Sequence, residues 1–173
     1  MSHQPLQRMN QDLGMLTWED GQGSLRPETA ECTVSLCFGR NNRDAGPVRR
    51  MLRLRELAAM LRAPEAVRGK PTREQYLAME KSLAREAKNG PYFTAAEFDR
   101  PGVRKEAYVM KMHGFVLDID TGRLSLADIK ALLEGLVYLL YSSFSHQASF
   151  PKWRVFIPYG EPILASRHGT VYR

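Results

Sequence analysis

Gly114-Phe-Val-Leu-Asp-Ile-Asp-Thr-Gly122 is a short apolar run that ends in two carboxylates and a glycine turn. Its alternation has the two-residue period of a β-strand, with Phe115, Leu117 and Ile119 facing one way and Val116, Asp118 and Asp120 the other. At ~3.3 Å of rise per residue the two aspartate Cα atoms stand roughly 6.6–7 Å apart. Carboxylates that close repel and ionise together most easily around a cation. Hard oxygen donors suit Mg²⁺ or Mn²⁺. The same residues are also good strand-ending chemistry, because Asp120-Thr-Gly122 is a favoured turn sequence. Residues further along the chain decide between the two readings.

Within 173 residues, 43% of them hydrophobic, the chain can build one substantial core. No apolar run has the length of a membrane span. The first residues lack the basic-then-apolar pattern of a secretory signal, so the expected location is cytoplasmic with no membrane partner. Cys32 and Cys37 match neither zinc nor redox spacing and read as small apolar packers. The net charge of +6 favours anionic partners, nucleic acid first. Arg40, Arg43, Arg49, Arg50, Arg53 and Arg55 are crowded into sixteen residues. The first four are candidate phosphate contacts, although a solvated basic face would look the same.

Residues 1–30 read as a loosely ordered leader, 31–104 as a first α/β layer and 105–173 as the half that carries the acidic pair. Thr33–Phe38 alternates as a strand, a turn-rich loop runs to Pro47, and a short strand over 49–54 leads into a helix that packs Leu54, Leu57, Ala58 and Leu61. Thr72-Arg-Glu-Gln75 is a capping box that starts a helix expected to reach about Lys88. Tyr92–Phe98 reads as one strand, and residues 106–119 as the strand pairing back on it. Ser125 caps a helix that stops at Gly135. Leu136–Ser143 is an apolar run of strand length, and Trp153–Pro158 is a final strand. The expected fold is α+β, with a mixed or antiparallel sheet and flanking helices.

A sheet that aligned the strands of the second half would let Asp118, Asp120, Ser145, His146 and Arg154 converge. Two carboxylates for a metal, a histidine and a guanidinium for phosphates, and a hydroxyl donor suit a nucleotide. Each member has a plainer reading: an exposed loop histidine, a solvent-side arginine, or, for Trp153, a packing residue.

Phe115-Val-Leu-Asp-Ile-Asp120, Tyr141-Ser-Ser-Phe-Ser-His146 and Pro151-Lys-Trp-Arg-Val-Phe-Ile-Pro158 with Glu161-Pro-Ile163 together resemble the primase-polymerase domain of phage and plasmid replication proteins, in the archaeo-eukaryotic primase superfamily. Tyr76, Lys88-Asn-Gly90, Phe93 and Arg104-Lys105 are similar to the segment before its acidic motif. The resemblance covers roughly 33–170 and implies an RRM-like primase-polymerase fold. It also implies nucleotide addition on a single-stranded DNA template, dependent on Mg²⁺ or Mn²⁺, with nucleoside triphosphates as substrates and a replicative helicase as a partner. By resemblance, Asp118 and Asp120 hold the catalytic metal. Ser145 and His146 contact the nucleotide, His146 being counted with the catalytic residues, and Arg154 meets the triphosphate. A third acidic motif is not found before Arg173, so the expectation is a domain incomplete at its C-terminus. A non-catalytic nucleic-acid-binding module or prophage remnant stays open as the alternative, and a ligand-free replication-protein interaction domain as a weaker third.

Overall fold

A computed structural model of the chain describes residues 30–41, 43–62, 71–87, 89–100, 103–143 and 145–171. The expected leader, apart from residue 30, lies outside these residues. The elements are β1 (Thr33–Gly39), β2 (Val48–Arg53), α1 (Leu54–Arg62), α2 (Arg73–Leu77), α3 (Lys81–Ala87), β3 (Tyr92–Thr94), β4 (Ala96–Phe98), β5 (Val109–Ile119), α4 (Leu126–Leu132), β6 (Leu139–Ser142), β7 (Trp153–Leu164) and α5 (Ala165–Val171). They build two sheets, ordered β2-β1-β3 and β4-β5-β7-β6. All neighbouring strands pair antiparallel. The α+β class with antiparallel sheets and flanking helices is therefore as the sequence implies.

The stretch Tyr92–Phe98 departs from its expected form. It is two strands, and each belongs to a different sheet. Phe93 pairs with Phe38 on β1, whereas Glu97 pairs with Lys111 on β5. The switch falls at buried Ala95, and the Ala96 amide donates to Thr94 Oγ1 across it. Residues with strand propensity do not specify a partner; register is chosen by the faces that must be buried. One chain segment thus stitches the two sheets together.

Both faces of the four-stranded sheet are covered. Along one, Leu117, Val155 and Leu140 lie abreast and meet Ile129 and Leu133 around α4. Along the other, Phe156 and Leu139 join Val34, Leu36 and Leu52 of the three-stranded sheet with Leu54, Leu57 and Ala58 of α1. The apolar stripe read for α1 is this second core. In α4, Ser125 and Asp128 form a reciprocal capping box, and Gly135 follows at φ +81°, the left-handed conformation that ends a helix.

The strand expected over 136–143 covers only Leu139–Ser142, with Leu136 and Val137 exposed before it, and the one expected over 106–119 begins at Val109. Two further elements differ more. The helix expected over 72–88 begins with its capping box, Thr72 and Gln75 bonding reciprocally, but breaks into α2 and α3. Its apolar residues find no core: Leu83 is 62% exposed and α3 buries nothing. Without a buried face a helix gains little beyond weak local propensity. The last strand, by contrast, runs through Pro158 and Pro162 to Leu164. Beyond Phe156, the partner of Leu139, β7 has left β6 behind and pairs only with β5. A residue without an N–H is tolerated on such a one-sided stretch.

Gly114 faces Pro158 beside a register shift in the β5–β7 pairing. A Cβ there would stand 2.4 Å from the Phe156 ring and 2.7 Å from the Ile157 carbonyl oxygen. Gly114→Ala is expected to cost about 1–3 kcal/mol through forced overpacking. Gly160→Ala, whose Cβ would meet open space, should be near neutral. Urea unfolding of the two variants, read as a difference in midpoint, checks the contrast.

Candidate functional site

Register places the acidic pair. Asp118 on β5 lies opposite Arg154 on β7, and Arg154 lies opposite Tyr141 on β6. The three side chains therefore form one cross-strand row on the face shared with Phe156 and Leu139. Arg154 Nε donates to Asp118 Oδ1 at 2.6 Å and Nη2 donates to Oδ2 at 3.3 Å. This is the bidentate fork by which guanidinium reads a planar anion. The pair stands at the rim, with Asp118 and Arg154 side chains 55% and 38% exposed. Burial would depress the Arg154 pKa, but the hydrogen bond and charge of Asp118, with Tyr141 and Asp120, hold it above its ordinary value. Tyr141 is a neutral member: burial pushes its phenol up to about 12, Arg154 opposing and Asp118 adding.

Asp120 stands exposed just past the end of β5, and its field reaches Arg154. No hydrogen bond or ion pair links its carboxylate to any described residue. The turn after it is tight: Gly122 has φ +69°, and a Cβ there would meet the Phe150 ring at 2.4 Å. Both readings of Asp118-Ile-Asp120 thus have physical content at one place, a turn closing the strand and two exposed carboxylates before it. The donor chemistry fits a hard cation. Magnesium-type ions take one or two carboxylates and fill the remaining positions with water and phosphate oxygens. Among the described residues, no group of three His, Cys, Asp or Glu side chains forms a closed metal cage.

His146 is not brought to this row. Trp153 lies opposite Ile119 and Ser142, one residue out of step with Arg154 and so on the opposite face. The His146 ring packs edge-on against Trp153 at 4.4 Å between centroids. It is only 7% exposed, and its Nδ1 sits 3.1 Å from both the amide nitrogen and the carbonyl oxygen of Lys152. The Trp153 indole N–H in turn donates to the Leu124 carbonyl. His146 therefore ties the 143–152 loop to the α4 side of the sheet. Ser145, half-buried, places its hydroxyl 3.4 Å from that of Ser143. His146→Ala should cost about 2–3 kcal/mol of stability through lost packing and stranded loop groups, measurable by thermal unfolding.

The arginine cluster is divided. Arg40 pairs with Asp44, and Arg43 with Glu86. Both line a cleft of about 550 Å³ with Asn41, Asn89, Gly90 and Pro91. Arg53 and Arg55 pair with Glu31. Arg50 lies over the Phe38 ring, 5.3 Å from its centroid, and has no carboxylate partner among the described residues. Phe38 packs on Phe93, and Phe93 on Tyr141. An aromatic line thus joins Arg50 to the Arg154 row across the two sheets. Arg49, one residue away, points to the other side of its sheet.

There Arg49 belongs to a network that no spacing in the sequence announces. Its Nε donates to Ser35 Oγ at 2.7 Å, and Nη1 donates to Glu97 Oε1 at 2.8 Å. His113 Nε2 donates to Glu97 Oε2 at 2.8 Å. Ser35 and Cys37 are buried beneath, burial pushing the Cys37 thiol up against the opposing charge of Arg49. The hydrogen bond from His113 is the main cause that holds the Glu97 carboxyl below its ordinary 4.5; burial opposes it and the charges of Arg49, His113 and Lys111 add to it. A carboxyl whose pKa is lowered by folding stabilises the fold above its unfolded value, and that stability is lost as pH falls through the lower folded value. Stability should accordingly decline with acid below about pH 4.5, and Glu97→Gln should remove its share of that decline in unfolding series run at stepped pH.

The chain is thus an α+β domain of two antiparallel sheets, stitched at Ala95, with an acidic and basic row at the rim of the shared core. Residues 28–173 match the family model of the VapE N-terminal domain, and the chain belongs to that family. Neither a search of curated proteins nor one of solved structures finds a match. No helix among the described residues is long and apolar enough to cross a membrane.

Proposed function

We propose that this domain serves phage or plasmid replication as a metal-dependent nucleotidyltransferase of the primase-polymerase kind, acting on a single-stranded DNA template. The observation that carries the reading is the β5–β7 register, which sets Asp118 opposite Arg154 on an exposed rim, with exposed Asp120 two residues on and its charge felt by Arg154. Carboxylates for a hard cation next to a guanidinium for phosphate are what a nucleoside triphosphate requires. Asp118 and Asp120 would hold Mg²⁺ or Mn²⁺, which when bound neutralises phosphate oxygens and the charge developing on pyrophosphate. Arg154 grips phosphate through its fork. Tyr141 backs Arg154 with an uncharged, packed ring. Ser145 and His146 shape the neighbouring loop, His146 by holding the Lys152 backbone. Arg40, Arg43 and Arg50, with the Phe38–Phe93 line, offer the template charge and ring faces.

The test is equilibrium binding of a fluorescent nucleoside triphosphate with and without Mn²⁺, followed by labelled nucleotide incorporation on primed and unprimed single strands. Metal-dependent binding in the native chain, lost on removal of the two carboxylates, supports the proposal. Binding that ignores both sinks it.

A second reading has its own observation. The Arg40–Arg43 cleft and the Arg50–Phe38 contact need no metal, and suit a non-catalytic single-strand-binding module. That module would bind oligonucleotides with a steep salt dependence indifferent to Mg²⁺.

A further inference from the structure

The Asp118–Arg154 pair differs from the braced ion pairs of the molecule. Arg49–Glu97 is braced by His113 and Ser35, and Arg40–Asp44 closes a local turn in which the Arg40 and Gly46 amides also donate to Asp44. Among the described residues, the Asp118 and Arg154 side chains hydrogen-bond only to each other, at a rim, beside a second carboxylate that engages no described residue. Each satisfies the other in the way an incoming ligand would. The guanidinium fills both carboxylate oxygens on the side where a cation would sit, and the carboxylate occupies the fork that a phosphate would enter.

We propose that this pair is a latch that makes metal and triphosphate bind as one, an inference that rests on the metal–nucleotide reading of the site. A cation arriving alone meets an Asp118 already neutralised and a guanidinium of like charge held against it. A triphosphate arriving alone meets an Arg154 already paired and two carboxylates that repel it. Together they exchange partners: Asp118 turns to the cation and Arg154 to phosphate, so neither side chain is left without a counter-charge. Each ligand relieves the cost that the other meets, and linkage makes the relief reciprocal. The ligand class recognised is therefore a metal–polyphosphate complex, with little affinity for either component. Release of pyrophosphate with its metal would let the pair re-form.

The experiment uses the full chain and three probes: Mn²⁺ alone followed by paramagnetic resonance of the free ion, inorganic tripolyphosphate alone by calorimetry, and the two together. In the native chain the presence of tripolyphosphate should tighten Mn²⁺ binding by at least roughly 10-fold beyond what their complex formation in solution explains, within the usual range of coupling between sites. Asp118→Asn should bind metal-free tripolyphosphate more tightly than Asp120→Asn does. The two remove the same charge, but only Asp118 holds the guanidinium. Arg154→Lys, which keeps the charge and loses the fork, should bind Mn²⁺ alone more tightly than the native chain. Equal effects of Asp118→Asn and Asp120→Asn, or native-like Mn²⁺ binding by Arg154→Lys, would show general electrostatics and overturn the latch while leaving the site reading intact. If the native chain binds no combination of Mn²⁺ and tripolyphosphate, the site reading falls and the latch with it. Circular dichroism confirms that each variant keeps the native fold.

Discussion

Asp118→Asn combined with Asp120→Asn is expected to weaken Mn²⁺-dependent nucleoside triphosphate binding by at least about 100-fold, since disturbing only the supporting contacts of metal ligands already costs 10–100-fold. Both carboxylates are exposed and neither packs in a core, so the double variant should retain its unfolding free energy within about 1 kcal/mol, the scale of a partly exposed ion pair. That separation is the point of the measurement. Loss of binding with the fold intact locates metal dependence at the end of β5. Retained binding would put the metal elsewhere and remove the reason for the proposed activity. The single variants should not be equivalent, because Asp118→Asn also releases Arg154 while Asp120→Asn does not.

Phe156→Ala is expected to cost about 3–5 kcal/mol, a large part of the 5–15 kcal/mol that holds a typical domain. Phe156 is fully buried. Its ring meets Phe93 edge-on at 5.8 Å, and it lies in the cluster that joins Leu36 of the first sheet to Leu139 of the second. Removing the ring opens a cavity at the seam between the sheets. Phe156 also stands two residues from Arg154 on the same face of β7, so the row at the rim rests on it. Chemical denaturation should show the loss directly. Partial loosening should appear earlier at the rim, as faster amide exchange in β6 and β7 than in β1. Uniform exchange across both sheets would mean the seam and the rim do not share this support.

Much of the local structure is legible because local chemistry causes it. The Thr72–Gln75 and Ser125–Asp128 boxes satisfy amides within four residues of chain. Gly135 ends α4 in a conformation that side chains resist. The period of Phe115–Ile119 separates a packed face from the face carrying the aspartates. The split of Tyr92–Phe98 is not legible, since its residues suit a strand in either sheet and only the partners decide. Nor is the end of the 72–88 helix: its apolar spacing is sound, but whether a core meets that face is a property of the rest of the molecule. The site divides along the same line. Asp118 and Arg154 are 36 residues apart, and register alone makes them a pair. His146 lies eight residues from Arg154 in the chain, yet it packs on the opposite face. The Ser35–Arg49–Glu97–His113 network, drawn from four strands, leaves no spacing to read.

By itself the sequence determined the α+β class, the helix caps, and the apolar faces of α1 and β5. These follow from interactions across a few residues of backbone. Tertiary structure alone decided that one apolar run serves two sheets, that the arginine cluster is split between a cleft, a core rim and a half-buried network, and that Asp118 pairs with Arg154. Those outcomes depend on strand register, and register is settled by which faces must be buried together, a condition written across the whole chain rather than in any stretch of it.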